Sequence, residues 1–94
     1  MSRIVYAEEF LNDFERVFLF LNEKNPIAAQ KMAALLEEKL ESLAFFPKAF
    51  TFFGDYRLYM LEFGTSGYAI LYDFDENKDE LIMLRIKHQK EAGF

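Results

Sequence analysis

The dipeptide Asn25-Pro26 divides the first half of the chain into two helical segments, and it restricts the fold more than any other feature. Asparagine caps helix N-termini well, and proline at the first helical position loses no needed hydrogen bond. Helical periodicity predicts one helix over roughly residues 7–23 and a second that runs to about Ala44. Because only the short link Glu23–Asn25 joins them, we expect an antiparallel helical hairpin.

Each predicted helix carries one apolar stripe that should face the core. In the first helix the stripe consists of Phe10, Leu11, Phe14, Val17, Phe18 and Leu21. In the second helix it consists of Ala29, Met32, Leu36, Leu40 and Leu43.

Downstream of Pro47 the pattern changes from helix to strand. The segment Phe45–Phe53 is an aromatic connection without a clear period, and Gly64-Thr65-Ser66-Gly67 has the composition of a hairpin turn. The predicted strands are Arg3–Tyr6, Tyr56–Phe63, Tyr68–Phe74 and Leu81–Lys87. We therefore predict one domain over residues 1–94, an α+β fold of order β-α-α-β-β-β. Its helical hairpin packs on one face of a mainly antiparallel sheet.

Composition disfavours several kinds of site. The chain of 94 residues has no cysteine, which rules out disulfides and thiolate metal sites, and one histidine does not favour zinc. The acidic turn that begins at Asp73 resembles a calcium loop, but Lys78 replaces the required glycine and Leu84 the bidentate glutamate. We expect no cofactor and no metal. No membrane span or signal peptide is visible, so the sequence predicts a cytoplasmic protein.

Two features indicate a macromolecular partner. The 12 phenylalanines and 5 tyrosines exceed what a small core needs, so some should cover an interface. The net charge of -5 argues against nucleic-acid binding over the whole surface. However, the densest cationic cluster, Arg85-Ile86-Lys87-His88-Gln89-Lys90, ends the last strand. We expect an anionic partner there, either a phosphate backbone or an acidic protein surface.

Period-two alternation sorts the residues of the last strand. Ile82, Leu84 and Ile86 share one face, which we expect to lie against the helices. Met83, Arg85 and Lys87 share the other face, which should be open to water or to a partner. His88 has the parity of the buried face, at the end of the strand. On the strand Tyr56–Phe63 the pattern does not decide which side faces the helices.

With this order of elements, the chain resembles the RelE/ParE superfamily of bacterial toxins, and ParE-like plasmid-stabilisation members are the closer match. The likeness covers essentially the full length. The segments that carry it are Ala7-Glu8-Glu9-Phe10-Leu11-Asn12-Asp13-Phe14, Asn25-Pro26-Ile27-Ala28-Ala29, Leu43 with Pro47, Arg57, Tyr68-x-Ile70-x-Tyr72, and Leu84-Arg85-Ile86-Lys87-His88-Gln89-Lys90.

The resemblance implies a toxin of a type II toxin–antitoxin system that a cognate antitoxin neutralises. Such antitoxins usually bind operator DNA, so this chain would contact DNA only indirectly. The expected antitoxin-binding anchors are Phe18, Leu19, Phe20, Phe52 and Phe53. These residues could instead cover the sheet edge or pack in a homodimer.

The superfamily contains two kinds of toxin. RelE-like members cut mRNA on the ribosome, and by resemblance Arg57 and Arg85 would hold the phosphate while His88 acts as acid or base. Lys87 and Lys90 would add electrostatic support. ParE-like members bind DNA gyrase without hydrolysis.

We favour the gyrase-binding hypothesis because this chain lacks the lysines and the C-terminal tyrosine usual in the ribonucleases. Its acidity also opposes entry to a site lined by RNA. In either case Arg57, Arg85, Lys87 and Lys90 are the candidate target-binding residues.

Structural roles remain open for the same residues. Arg85 and Lys87 could form a solvated strand face, and His88 could cap the core. Arg57 could pair with a carboxylate such as Asp55 or Glu62, an exposed pair of little energetic weight. A non-toxic binding module of the same fold is the third functional hypothesis.

Overall fold

The computed structural model describes residues 1–94 as two helices on one face of a five-stranded sheet. The elements are β1 (Arg3–Tyr6), α1 (Glu8–Lys24), α2 (Pro26–Phe45), β2 (Phe52–Phe53), β3 (Tyr56–Phe63), β4 (Ser66–Asp75) and β5 (Glu80–His88). The strand order is β1-β5-β4-β3-β2, with β1 parallel to β5 and the other pairs antiparallel. The predicted fold is confirmed. The two-residue strand β2 was not predicted, because it is too short to show alternation.

The helical hairpin forms at the predicted place. Asn25 has an extended backbone and caps α2, since its side-chain oxygen accepts the N–H of Ala28 at 3.1 Å. Its own N–H donates to the carbonyl of Leu21 at 2.7 Å, which also ends α1. Pro26 occupies the first turn of α2, where its missing N–H has no cost. Neither helix combines the length and apolar character that a membrane crossing requires.

The core lies between the hairpin and the sheet. All five predicted stripe residues of α2 are buried there, whereas in α1 the prediction was wrong for Leu11, which is 53% exposed. Tyr68 and Tyr72 of β4 are buried in the same cluster. On β3 the core side, which the sequence left undecided, is the one that carries Leu61 with Tyr59 and Phe63.

The predicted alternation of β5 was wrong around Leu84. Leu81 and Met83 are fully buried with Ile86, whereas Ile82 and Leu84 are only half-buried. The cause is an irregularity in the pairing with β4, where Leu71 aligns with Arg85 but the next residue, Tyr72, aligns with Met83. Leu84 is thus an extra residue in β5, and such a bulge reverses the facing of the residues on its two sides.

The loop between β3 and β4 lies within the predicted turn but is shorter, because Ser66 and Gly67 belong to β4. β3 and β4 are joined by a two-residue loop in which Gly64 has φ +63°, a conformation that glycine adopts without strain. After β4, the carboxylate of Asp75 accepts the N–H groups of Asn77 and Lys78 at 3.0 and 3.2 Å. This side chain therefore stabilises the turn between β4 and β5.

Candidate functional site

Arg85 does not extend freely from the open face of the sheet, because Asp13 of α1 holds it. The Nε of Arg85 donates to Oδ2 of Asp13 at 2.6 Å, and its Nη2 donates to Oδ1 at 3.2 Å. Oδ2 also accepts the buried N–H of Ile86 at 3.1 Å. β1 ends opposite Met83, so β5 has no strand partner on that side beyond it, and the Asp13 carboxylate takes over the pairing.

The electrostatics of Asp13 match this geometry. Burial alone would raise the pKa of Asp13, since the residue is only 7% exposed. The hydrogen bonds from Arg85 and Ile86, together with the charges of Arg85 and Arg16, outweigh burial and lower the pKa of Asp13 below its ordinary value. The hydrogen bond with Asp13 raises the pKa of Arg85 in turn. The ion pair is therefore maintained over the whole neutral pH range.

Arg57 is held by the loop that follows α2. Its Nη1 donates to the carbonyl oxygens of Phe50 at 2.7 Å and Lys48 at 3.3 Å, and its guanidinium lies 4.1 Å from the ring centroid of Phe52. The alternative pairing with Asp55 or Glu62 is wrong, since no carboxylate lies within 4.0 Å of the guanidinium. Arg57 fastens this loop to β3.

The fold holds Arg57 and Arg85 apart. β4 lies between their strands, which places them about 10 Å apart across the sheet at two strand spacings. Arg57 turns to the loop after α2, and Arg85 turns to α1. A single phosphate group could bind both guanidinium groups only if each lost its internal hydrogen bonds.

His88 lies on the core side at the end of β5, as its parity predicted. Its ring contacts Tyr68 edge-on at 5.3 Å between centroids. Nδ1 accepts the backbone N–H of Lys90 at 3.1 Å, so the proton of a neutral ring is on Nε2, which donates to Ser66 Oγ at 3.0 Å. Both ring nitrogens have intramolecular partners in this arrangement. The predicted alternative of a structural histidine is compatible with these contacts.

The C-terminal residues fold back over α1 and line a cleft, which we call the C-terminal cleft. Its lining comprises Arg16, Val17, Phe20, Lys24, Tyr68, His88, Lys90 and Glu91, and its volume is about 560 Å³. Glu91 joins its two sides, because its carboxylate accepts hydrogen bonds from Arg16 and from the N–H of His88. The hydrogen bond from Arg16 is the main reason that the pKa of Glu91 is lowered.

The remaining predicted site residues lie at the surface, except that Phe18 and Lys87 are half-buried. Leu19, Phe20, Phe52 and Phe53 are each more than half exposed. Phe18 is half-buried and stacks on Phe14 at 5.8 Å, so it contributes to the core as well as to the surface. The Nζ of Lys87 donates to the carbonyl of Glu91 at 2.9 Å, whereas Lys90 is exposed.

Sequence comparison assigns the chain to a family. The profile of the family described as "ParE toxin of type II toxin-antitoxin system, parDE" matches residues 4–93. The chain belongs to the ParE toxin family. It is the toxin component of a type II toxin–antitoxin system. No curated protein sequence matches this ParE-family toxin at a significant level.

Solved structures confirm the fold of this ParE-family toxin. A chain of the intact E. coli RelBE toxin–antitoxin complex superposes with a TM-score of 0.65 and 16% identity, over 97% of this chain and 100% of that one. The isolated E. coli RelE toxin gives 0.63 and 14%, over 98% and 88%. A metal-bound toxin from Helicobacter pylori gives 0.58 and 16%, over 99% and 100%. At these identities the likeness concerns the fold alone.

Sequence reasoning missed Asp13, Arg16 and Lys24, whereas Phe20 of the C-terminal cleft was predicted only as an antitoxin-binding anchor. The signal for Asp13 was present: it lies three residues after Phe10 and four before Val17, in the buried stripe of α1. A carboxylate at such a position needs a cationic or N–H partner. No comparable signal marks Arg16 or Lys24, because their neighbours in the cleft come from the distant end of β5.

Proposed function

We propose that this toxin binds DNA gyrase and inhibits it without hydrolysis, and that a cognate antitoxin neutralises it. The observation that carries the proposal is the hydrogen bonding of Arg85 to Asp13. A ribonuclease of this fold needs free cations around the scissile phosphate, where charge develops in the transition state. Here Arg85 is paired with a carboxylate, and Arg57 donates to backbone carbonyl oxygens. This arrangement favours a binding surface over a phosphate-cleaving site.

Charge supports the same proposal. A net charge of -5 repels the RNA that lines a ribosomal site, whereas it does not prevent contact between a local cationic patch and an acidic protein surface. Lys87 is half-buried near the end of β5 and Lys90 is exposed just beyond it, and we take these two lysines as such a patch. We assign this patch to the contact with gyrase.

A supercoiling assay tests the proposal directly. Purified toxin added to gyrase and relaxed plasmid should abolish supercoiling, and Lys90→Glu should need a higher concentration for the same inhibition. Lys31→Glu is the matched control, since Lys31 is an exposed lysine of α2 away from the patch. Full supercoiling at saturating toxin overturns the proposal.

Two further readouts address the alternatives. Primer extension on transcripts after induction should show no codon-phased cuts. Cuts that disappear in Arg85→Ala would instead establish a ribonuclease. Expression without antitoxin should arrest division, and unimpaired growth would leave only a non-toxic binding module of this fold.

The antitoxin proposal rests on the exposed apolar residues of α1 and β2. Leu19 and Phe20 are 54% and 63% exposed, and Phe52 and Phe53 are 60% and 51% exposed, although a water-facing surface does not require such residues. An antitoxin segment that folds on binding would bury them as anchors.

A paired substitution tests these anchors. Leu19→Asp should weaken co-purification with the product of the neighbouring reading frame. Leu11→Asp is the control, since Leu11 lies on the same helix with a similar exposure of 53%. If both variants retain the partner equally, Leu19 does not lie in the interface.

A further inference from the structure

The C-terminal cleft has the size and lining of a small-molecule site. Its volume of about 560 Å³ falls within the range of roughly 300–1,000 Å³ that ligand pockets occupy. Val17 and Tyr68 are buried below it, with 5% and 4% exposure, and form a firm apolar floor. Phe20 lines the same cleft and is 63% exposed, so part of its aromatic ring is open to a ligand.

Cations surround this apolar floor. Arg16, Lys24 and Lys90 line the cleft, and Glu91 is its one carboxylate. Glu91 is bound to Arg16, but neither lysine has a carboxylate within 4.0 Å. The Nζ of Lys24 lies instead 4.9 Å from the ring centroid of Phe20. The cleft therefore holds more positive charge than its internal anion balances.

Glu91 shows where a ligand anion would bind. One carboxylate oxygen accepts a hydrogen bond from the Arg16 guanidinium, and the other accepts one from the backbone N–H of His88. These two donors form an anion-binding position. The side chains of Arg16 and Glu91 are 47% and 38% exposed, and an ion pair so close to water contributes little free energy. A ligand with a higher negative charge can displace the Glu91 carboxylate from these two donors.

We propose that the C-terminal cleft is a binding site for a phosphomonoester with an aromatic body, of the nucleoside monophosphate class. The phosphate replaces the Glu91 carboxylate beside Arg16 and is contacted by Lys24 and Lys90, and the aromatic body packs on Phe20 above Tyr68. The site does not include Arg57 or Arg85, but it shares Lys90 with the patch proposed to contact gyrase and Phe20 with the proposed antitoxin surface.

Charge and size select this class of ligand. A phosphomonoester carries roughly 1.5 to 2 negative charges at neutral pH and so matches several cations, whereas a carboxylate matches one. A long polyanion would meet the net charge of -5 over the rest of the surface, which opposes binding. A small ligand avoids most of this repulsion because it stays within the cleft.

Titration of the full-length toxin with AMP at low salt, followed by NMR, tests the site. The signals of Phe20, Tyr68 and His88 should shift with a saturable dependence on AMP. Adenosine and inorganic phosphate should each bind at least roughly tenfold more weakly than AMP. Adenosine lacks the phosphate, and inorganic phosphate lacks the aromatic body. Glu91→Gln removes the competing charge and should tighten AMP binding by roughly twofold to fivefold.

Charge-reversed variants provide the controls. Lys24→Glu and Lys90→Glu should weaken AMP binding by roughly tenfold or more, whereas Lys31→Glu should not. A 5′-phosphorylated tetranucleotide, compared with its unphosphorylated form, distinguishes a nucleic-acid end from a free nucleotide, and selective binding of either phosphorylated probe supports the site. Absence of saturable shifts in both wild type and Glu91→Gln overturns it. Equal loss in Lys31→Glu, or equal binding of a tetraglutamate peptide, also overturns it.

Discussion

Asp13 of α1 and Arg85 of β5 form a two-point ion pair across 72 positions of the sequence, with N–O distances of 2.6 and 3.2 Å. The same carboxylate accepts the buried N–H of Ile86 and so continues the edge of the sheet where β1 has ended. One side chain thereby joins the first helix to the last strand. It also determines the direction of the arginine that the resemblance assigned to phosphate binding.

Removal of the Asp13 carboxylate should destabilise the toxin. In Asp13→Ala the buried Ile86 N–H loses its acceptor and Arg85 loses its partner, which should cost about 2 kcal/mol in the free energy of unfolding. Asp13→Asn keeps one acceptor oxygen and should cost about 1 kcal/mol. Denaturant unfolding followed by circular dichroism measures both. Asp55→Ala, at an exposed aspartate, is the control and should change little; an equal loss there would show that the effect is not specific.

Stability should fall in acid, partly because of the same carboxylate. The pKa values of Asp13 and Glu91 are lowered from ordinary values of 3.8 and 4.5, so the unfolded chain binds these protons more tightly than the folded chain. Their stabilisation is therefore complete above the ordinary pKa values and is lost as pH falls through the lower folded ones.

Asp13→Asn provides the measurement for this linkage. The difference in unfolding free energy between wild type and variant should shrink as the pH is lowered below about 4. A constant difference down to about pH 2 would contradict the assignment of this acid sensitivity to Asp13.

Gly67 should tolerate no side chain, although its backbone conformation is ordinary. A Cβ there would lie 2.2 Å from the carbonyl oxygen of Leu61, on the neighbouring strand. Gly67→Ala should therefore cost about 3 kcal/mol through displacement of the β3–β4 pairing. Gly64→Ala has open space but a φ of +63°, so it should cost only about 1–2 kcal/mol. Thermal unfolding of the two variants ranks them, and the opposite order would show that backbone conformation outweighs the steric contact.

The loop between α2 and β2 should depend on two donors from the sheet. Tyr72 Oη donates to the carbonyl of Pro47 at 2.9 Å, and Arg57 donates to Phe50 and Lys48. Tyr72→Phe should cost about 1 kcal/mol, and Arg57→Lys should cost a similar amount because an ammonium lacks the planar guanidinium geometry. Hydrogen exchange of residues 46–51 should accelerate in both variants. Unchanged exchange would mean that other contacts hold the loop.

Much of the architecture could be predicted from local signals. Asn25-Pro26 located the hairpin because capping is a property of a few adjacent residues, and the structure places the α2 boundary there. The bulge at Leu84 could not be predicted, since β5 alternates regularly in sequence and only its register with β4 shows the extra residue. The same reasoning explains why Met83 was assigned to the wrong face.

The site was less predictable than the fold. Sequence pattern and family resemblance indicated Arg57, Arg85 and His88 as candidate residues, but not the groups that hold them. Each partner is distant in sequence, or is a backbone carbonyl or hydroxyl without a distinctive motif, as with Asp13, Phe50 and Ser66. The pairings therefore depend on how the helices and the loop after α2 pack on the sheet.

The sequence by itself determined the helical hairpin, the three long strands in the second half of the chain and the family of the toxin, because capping, periodicity and turn chemistry act between near neighbours. Only the tertiary structure decided what the cationic end of β5 can contact. Packing of α1 on β5 brings Asp13 to Arg85 and Arg16 to Glu91. Electrostatic energy depends on distance in space. Whether an arginine is paired with a carboxylate or available to another molecule is therefore set by the fold and not by its place in the chain.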